Sequence, residues 1–210
     1  MSIHIKICGF TEPFAIEAAV AAGVDAIGLV LDPSPRQLSL DAAVSLAQII
    51  PSHIKCVAVC GRPTLDEIQD IDARLAPDWI QLMADAIPDM PHGFSFLPAF
   101  EDGVDLEARV DAYRAQCGES RPLILADGPQ PGSGMLADWD RVSRLAERNR
   151  LMLAGGLNAE NVADAIVGMR PYGVDVSSGV ERGLGIKDPD KIRAFVAAVR
   201  QAERDLRGAS

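Results

Sequence analysis

The sequence has few of the features that would place it in a membrane, outside the cell or on a nucleic acid. None of its apolar runs is long enough to span a bilayer, and its start, M-S-I-H-I-K, lacks the separate basic and apolar regions of a signal peptide. Basic residues are in the minority, with 20 Lys and Arg against 30 Asp and Glu and a net charge of -10. We therefore expect a cytoplasmic protein that binds neither nucleic acid nor an anionic membrane.

Cysteine and histidine are also scarce. The four cysteines form no C-x-x-C pair and are too few for a disulfide framework in 210 residues, so we expect reduced thiols. They are Cys8, Cys56, Cys60 and Cys117. The three histidines lack the spacing of metal ligands, so no metal site is predicted.

Apolar residues are abundant, at 48% of the chain, and they occur in short runs that alternate with helical segments. The first run places Ile3, Ile5 and Ile7 on one face of a strand, with polar residues between them. Gly9 then ends the strand, and Thr11 is expected to cap the helix that follows. This strand-then-helix pattern recurs to the end of the chain without a linker or a charge run.

Roughly eight such units predict the α/β class and a (β/α)₈ barrel, a TIM barrel, formed as a single domain by residues 1–210. A doubly wound open sheet is the alternative. The predicted strands cover residues 3–8, 25–31, 54–60, 78–83, 94–99, 122–126, 151–154 and 174–177. The predicted helices cover residues 15–22, 40–50, 64–75, 104–116, 138–147, 159–169 and 189–204. After the fourth strand, two prolines leave little room for a full helix.

Two glycine-containing turns, in A-G-G-L-N-A-E-N-V and S-S-G-V-E, follow the seventh and eighth predicted strands. In a (β/α)₈ barrel these two loops commonly bind a phosphate group, and glycines let a phosphate approach backbone N–H groups. Gly155, Gly156 and Gly179 are therefore expected to bind phosphate, with Asn158 or Glu181 serving the first turn of the next helix. The alternative is two ordinary strand-to-helix turns.

Two side chains at predicted strand ends suit acid-base chemistry. Cys8 lies on the same face as Lys6, whose positive charge would favour a thiolate, although a cysteine is often just a small buried apolar residue. Asp127 ends the apolar run L-I-L-A-D, where partial burial would raise its pKa and suit a general acid. The alternative for Asp127 is a loop or helix-capping role.

Other polar residues accompany the same predicted strands. Arg36 follows the second strand, Gln81 lies in the fourth and Asp175 in the eighth. Asp175 would face Lys6 if strands one and eight close the barrel, which would make the two a structural ion pair. A G-S-G turn after the sixth strand either adds N–H groups for a phosphate or is simply flexible. Its residues are Gly132, Ser133 and Gly134.

Together these motifs resemble the phosphoribosylanthranilate isomerase family of tryptophan biosynthesis over almost the whole chain. The specific pairing is K-I-C-G near the start with G-V-D-V-S-S-G-V-E near the end, supported by S-P-R, A-D, G-S-G and A-G-G-L-N-A-E-N-V. The resemblance implies a barrel enzyme that carries out an Amadori rearrangement without a cofactor. Its only implied partner is a small phosphorylated substrate, and the chain is expected to be a monomer or a homodimer.

The resemblance also implies roles by position. The catalytic base corresponds to Cys8, the general acid to Asp127, and the arginine near the anthranilate carboxylate to Arg36. The phosphate contacts correspond to the G-S-G turn and to Gly155, Gly156, Ser178 and Gly179.

The chain departs from the family pattern at three positions around the site. Met83 stands where a histidine is usual, Pro131 replaces a glycine and Cys60 replaces an aromatic residue. Two other functions remain open. One is the related sugar isomerase of histidine biosynthesis, against which Cys8 argues, since that family has an aspartate there. The other is a silent paralogue that only binds a sugar phosphate, against which the presence of both Cys8 and Asp127 argues.

Overall fold

A computed structural model describes residues 2–89, 93–130, 135 and 138–208. Within these residues eight parallel strands, β1 to β8, pair in sequence order, and β8 pairs with β1 to close a barrel. The predicted barrel is thus confirmed, and the open sheet is excluded. The strands are β1 His4–Cys8, β2 Ala26–Val30, β3 Lys55–Val59, β4 Trp79–Met83, β5 Phe96–Glu101, β6 Leu123–Asp127, β7 Arg150–Leu153 and β8 Gly173–Val176.

In the described residues seven α-helices follow these strands, one after every strand except β4. They are α1 Pro13–Ala22, α2 Leu40–Ala47, α3 Leu65–Leu75, α4 Leu106–Cys117, α5 Trp139–Arg148, α6 Val162–Met169 and α7 Pro189–Gly208. A short 3₁₀ helix, Ala84–Asp89, follows β4, where the two prolines were expected to leave little room for a full helix. No helix in the described ranges is both long and apolar enough to cross a membrane.

The connection from β8 to α7 is more elaborate than the sequence predicted. A 3₁₀ turn, Ser178–Val180, leads into two short antiparallel strands, β9 Glu181–Gly183 and β10 Ile186–Lys187. Gly185 joins them with φ 77°, a left-handed conformation that glycine adopts most readily. This hairpin brings charged side chains back towards the end of β8.

Side chains at several helix starts act as the sequence indicates. Ser39 accepts a hydrogen bond from Ala42 N, and Thr64 forms a reciprocal capping box with Glu67. The expected cap of α1 is wrong: the N-cap is Glu12, and the Thr11 hydroxyl instead donates to Gly185 O at 3.2 Å. Thr11 therefore ties the first loop of the barrel to the β9–β10 hairpin.

The alternation in β1 separates two layers. Ile3, Ile5 and Ile7 pack outward into the core between strands and helices. Lys6 points inward and is level with Asp175 across the β1–β8 pairing. The barrel interior also holds a smaller apolar cluster, Leu97, Ala99, Leu125, Met152 and Ala154. The carboxyl ends of the strands therefore open above a filled barrel, where loops can form a site.

Candidate active site

Two of the predicted residues, Cys8 and Asp127, lie at the carboxyl ends of β1 and β6. Both face the barrel mouth and lie within electrostatic range of each other, of Lys6 and of Asp175. Cys8 is 9% exposed, and Gly28 on the neighbouring strand makes room for it, since a Cβ there would lie 3.0 Å from Cys8 Sγ. The fold thus brings a thiol and a carboxyl group to one mouth.

The Asp127 carboxyl group has a pKa of about 6, well above its ordinary value of 3.8. Burial is the largest cause, and the nearby Asp175 carboxylate adds to it. The Gly128 N–H, which donates to Asp127 Oδ1 at 2.7 Å, and the Lys6 charge oppose the rise. Asp127 is therefore partly protonated near neutral pH, as the sequence predicted.

The ionisation of Cys8 depends on burial as well as on the nearby charges. Burial raises the pKa of its thiol, and the positive charges of Lys6 and Lys187 reduce this rise without cancelling it. Lys6 thus favours the Cys8 thiolate, as the sequence indicated, but its charge does not outweigh burial. Desolvation of the sulfur outweighs both cations, so Cys8 is a neutral thiol at neutral pH.

Lys6 and Asp175 form the predicted ion pair inside the barrel. Lys6 Nζ donates to Asp175 Oδ2 at 2.9 Å, and Lys6 is fully buried. Burial disfavours the Lys6 charge, but the Asp175 carboxylate, together with Cys8 and Asp127, outweighs this and raises the pKa of the ammonium group. The second oxygen, Asp175 Oδ1, is buried without a hydrogen-bond partner among the described residues. Asp175 therefore has acceptor capacity left at the mouth.

A small pocket between the ends of β6, β7 and β8 brings together many of the predicted residues. It is lined by Asp127, Gly155, Gly156, Asp175 and Ser178. No described residue supplies an acceptor for the backbone N–H groups of Gly155 and Gly156. Free N–H groups next to glycine are suited to an anion. The pocket thus has the geometry of a phosphate site.

Asn158 orders the turn that precedes α6, whereas the sequence was expected to place it at the first turn of that helix; α6 begins at Val162, with Asn161 as its N-cap. Its Oδ1 accepts hydrogen bonds from the N–H groups of Glu160 and Asn161, each at 3.0 Å. Asn161 in turn donates from Nδ2 to Gly156 O at 3.0 Å. This network uses the turn's later N–H groups and fixes the Gly155-Gly156 segment.

Two of the glycines serve close loop packing, which the sequence did not reveal. A Cβ at Gly179 would lie 2.0 Å from Leu157 O, and one at Gly155 would lie 2.4 Å from Gly128 N. Neighbouring loops touch the backbone at both positions, so glycine is required there for packing, independently of any role in phosphate binding. The predicted G-S-G turn, Gly132 to Gly134, and Pro131 lie outside the described residues.

Arg36 lies in the loop after β2 and is only 5% exposed. Its Nε and Nη2 donate to the two carboxylate oxygens of Glu181 at 2.6 and 2.9 Å. The interpretation of Glu181 as a helix-capping residue is therefore wrong. Burial disfavours its charge, but the hydrogen bonds from Arg36 and Lys187 outweigh this and lower the pKa of Glu181. Nη1 of Arg36 has no partner among the described residues.

Sequence reasoning missed Lys187 and Ser177. Lys187 is 1% exposed, and its Nζ donates to Glu181 Oε1 at 2.9 Å and to Ser177 O at 3.0 Å. The Ser177 hydroxyl donates to Cys8 O at 2.9 Å. The sequence signal for Lys187 was its opposite charge to Glu181 in the segment E-R-G-L-G-I-K, which follows the glycine-containing turn after β8.

Gln81 lines a separate cavity of about 140 Å³ that reaches Asp127. Its Oε1 is buried without a hydrogen-bond partner among the described residues. Cys60 and Met83, two positions where the sequence departs from the family pattern, line the same cavity. Burial raises the pKa of the Cys60 thiol to about 12, so Cys60 behaves as an apolar residue there. The departures therefore shape one side of the mouth.

Comparisons with known proteins agree with this geometry. The family model described as N-(5'phosphoribosyl)anthranilate (PRA) isomerase matches residues 5–198. An N-(5'-phosphoribosyl)anthranilate isomerase of Roseiflexus castenholzii is 40% identical over 212 residues, which cover 95% of this chain and 99% of the relative. The enzyme of the same name from Afipia carboxidovorans is 35% identical, covering 99% of this chain and 93% of the relative.

Solved structures agree in both fold and family. TrpF from Jonesia denitrificans superposes with a TM-score of 0.76 at 38% identity, covering 96% of this chain and 98% of that one. A phosphoribosyl anthranilate isomerase in complex with reduced 1-(o-carboxyphenylamino)-1-deoxyribulose 5-phosphate superposes with a TM-score of 0.77 at 30% identity, covering 95% and 99%. A match over most of the chain, on a closed barrel with this mouth, places it in the N-(5'-phosphoribosyl)anthranilate isomerase family.

Proposed function

We propose that this protein catalyses the Amadori rearrangement of N-(5'-phosphoribosyl)anthranilate to 1-(o-carboxyphenylamino)-1-deoxyribulose 5-phosphate, with Asp127 as acid and Cys8 as base. The observation that carries these roles is the position of the two groups at strand ends of one mouth, one of them a carboxyl with a pKa of about 6. Family membership supports the reaction.

Asp127 acts first in this proposal. Its protonated carboxyl donates a proton to the ribose ring oxygen while the C1–O bond breaks, and the anthranilate nitrogen forms a protonated Schiff base at C1. Because burial raises the pKa of Asp127 to about 6, a fraction of about a tenth is protonated at pH 7, and this fraction supplies the acid. The donated proton ends on the ring-opened hydroxyl group.

Cys8 acts second, as the base. Its thiolate removes the C2′ proton, and the electrons of that C–H bond neutralise the Schiff base to give an enolamine. The enolamine becomes the ketone by gaining a proton at C1′ of the ribose and losing one from the hydroxyl group on C2′. The proton taken by Cys8 balances the one given by Asp127, so the net reaction is an isomerisation and needs no redox cofactor.

Binding groups lie on either side of this pair. The N–H groups of Gly155 and Gly156, for which no described residue supplies an acceptor, suit the substrate phosphate at the pocket after β7 and β8, with Ser178 beside them. Arg36 suits the anthranilate carboxylate, since Glu181 fixes its Nε and Nη2 and no described residue contacts its Nη1. Both contacts hold the ribose between the acid and the base.

The experiment is a fluorescence assay that follows the loss of phosphoribosylanthranilate on the purified protein and on Asp127→Asn. We expect the parent chain to turn over and Asp127→Asn to lose about 10² to 10⁴ in kcat, because asparagine cannot supply a proton. Asp111→Asn, on the exposed face of α4, is the matched control and should keep parental activity. A parent chain that binds the product but does not turn over the substrate would overturn the proposal in favour of a silent binder.

A further inference from the structure

Lys187 is a buried cation without a role in the steps above. Its Nζ contacts three acceptors, Ser177 O at 3.0 Å, Ser177 Oγ at 3.2 Å and Glu181 Oε1 at 2.9 Å. Three acceptors match the three donors of a charged ammonium group, whereas a neutral amine has only two. Burial lowers the pKa of the Lys187 ammonium group, and the Glu181 carboxylate opposes this. The three acceptors match the charged form, so they hold the side chain in one place as a cation although it is 1% exposed.

Ser177 links this cation to Cys8. The Ser177 hydroxyl accepts from Lys187 and donates its own proton to Cys8 O at 2.9 Å. The hydroxyl's single proton is thus committed to the Cys8 backbone as long as Lys187 occupies the acceptor side. Removing the ammonium group would free the hydroxyl to rotate and loosen the end of β1.

The charges around Cys8 can be counted by element. Lys6 from β1 and Asp175 from β8 form one neutral pair, and Asp127 from β6 is partly protonated near neutral pH. On the other side, the single carboxylate of Glu181 is shared by Arg36 and Lys187, so that cluster has a net charge of +1. Both of these cations act on Cys8. The Lys187 cluster is therefore the side of the mouth that favours a negative sulfur.

We propose that Lys187 is a positioning residue for Cys8: it fixes the Ser177 hydroxyl on the Cys8 backbone and supplies the surplus positive charge that stabilises the thiolate. This inference rests on the proposed role of Cys8 as the base. Lys187 does not touch the reacting atoms in this arrangement, and it acts through Ser177 and through its charge. In this proposal the β9–β10 hairpin places the charged Lys187 side chain next to the end of β1.

The test measures the ionisation of Cys8 directly, without requiring activity. Ultraviolet absorbance of the thiolate is titrated with pH in the parent chain and in Lys187→Met, and the signal of Cys8 is isolated by subtracting the same titration in the matching Cys8→Ser protein. Cys56, Cys60 and Cys117 are present in both members of each pair, so the subtraction removes their signal. Loss of one nearby charge raises a thiol pKa by about one unit or more. At the pH where the parent Cys8 is half ionised, we expect about a tenth to be ionised in Lys187→Met.

Three variants separate charge from simple structural support. Lys187→Arg keeps the charge and should restore most of the thiolate. Lys191→Met removes another anchor of the hairpin, the bond from Lys191 Nζ to Glu181 O at 2.7 Å, and should leave the Cys8 midpoint unchanged. Lys55→Met breaks an exposed ion pair with Asp78 at the opposite end of the barrel and controls for net charge. Lys187→Gln, which keeps a hydrogen-bond donor, replaces Lys187→Met if that variant does not fold.

Measuring kcat of the same variants tests whether the ionisation of Cys8 matters for the reaction. In the assay, Lys187→Met should lower kcat about tenfold with little change in KM, because less thiolate is present while the substrate contacts remain. An unchanged Cys8 midpoint in folded Lys187→Met or Lys187→Gln overturns the inference. A shifted midpoint with unchanged kcat supports the electrostatic link and instead contradicts Cys8 as the base. The two outcomes therefore separate failure of this inference from failure of the proposed function.

Discussion

At the scale of single residues, the acid and the base have opposite protonation states from those the reaction needs. Burial holds Cys8 as a thiol, and Asp127, with a pKa of about 6, is mostly ionised above that pH. The reactive form, thiolate with protonated carboxyl, has the same number of protons as the resting form. Its fraction is therefore constant between the two pKa values, and activity should form a plateau there and fall on either side.

The first prediction concerns Cys8. Replacing its thiol by a hydroxyl, in Cys8→Ser, should lower kcat by about 10²-fold or more, because a hydroxyl is a far weaker base near neutral pH. Cys117→Ser, on α4 and away from the mouth, is the matched control and should retain parental kcat. Steady-state kinetics on the two variants make the comparison, and a Cys8→Ser protein within a few-fold of the parent would exclude Cys8 as the base.

At the scale of elements, the loops after β6, β7 and β8 form a unit because their backbones touch. Gly155 packs on Gly128, and Gly179 packs on Leu157, so side chains at these positions would push neighbouring loops apart. A variant at Gly155 or Gly179 therefore changes both packing and binding. Gly156, with φ 65° and a pocket-lining position, is the better place to test phosphate binding.

The second prediction is that Gly156→Ala raises KM, because its methyl group obstructs the approach of the phosphate to the neighbouring N–H groups. The left-handed backbone also strains the alanine by about 1–2 kcal/mol. Gly23→Ala is the matched control, since Gly23 caps α1 with φ 85° and nothing lies within 4 Å of its added Cβ. Gly23→Ala thus places an alanine in the same left-handed backbone conformation, but far from the barrel mouth. If steady-state kinetics give both variants the parental KM, the phosphate binds elsewhere.

At the scale of the whole molecule, the site lowers the stability of the barrel that holds it. Asp127 has a pKa of about 6 in the folded chain against an ordinary value of 3.8, so the folded state binds more protons between these pH values than the unfolded state. Stability from this group is therefore fully present below pH 3.8 and is lost as pH rises through about 6. Over this range the loss is about 3 kcal/mol.

The third prediction follows from this linkage. The Asp127→Asn protein has no carboxyl group to ionise at this position. The difference between its free energy of unfolding and that of the parent should therefore be about 2.4 kcal/mol larger at pH 8 than at pH 4. Urea denaturation of both proteins at the two pH values measures this difference. Because the other titrating groups are the same in the two proteins, their contributions cancel. A difference that does not change with pH would show that Asp127 has an ordinary pKa in the folded chain.

Much of the fold could be predicted because it depends on local pattern. The alternation in Ile3 to Cys8 and the prolines after β4 each point to one local structure, and eight repeats without a linker leave few topologies. The hairpin after β8 could not be predicted, since strands of three and two residues are too short to show a period. That residues 1–210 form one domain stays a prediction.

The sequence by itself determined the barrel, the strand ends that bear Cys8 and Asp127, and the loops expected to hold a phosphate, because periodicity and glycine positions are local properties. Only the tertiary structure decided what depends on distance and burial. It paired Arg36 with Glu181 across 145 positions of sequence and brought Lys187 to Ser177 beside Cys8. It also made Cys8 a thiol, because desolvation of a sulfur is set by everything packed around it and not by its neighbours in the chain.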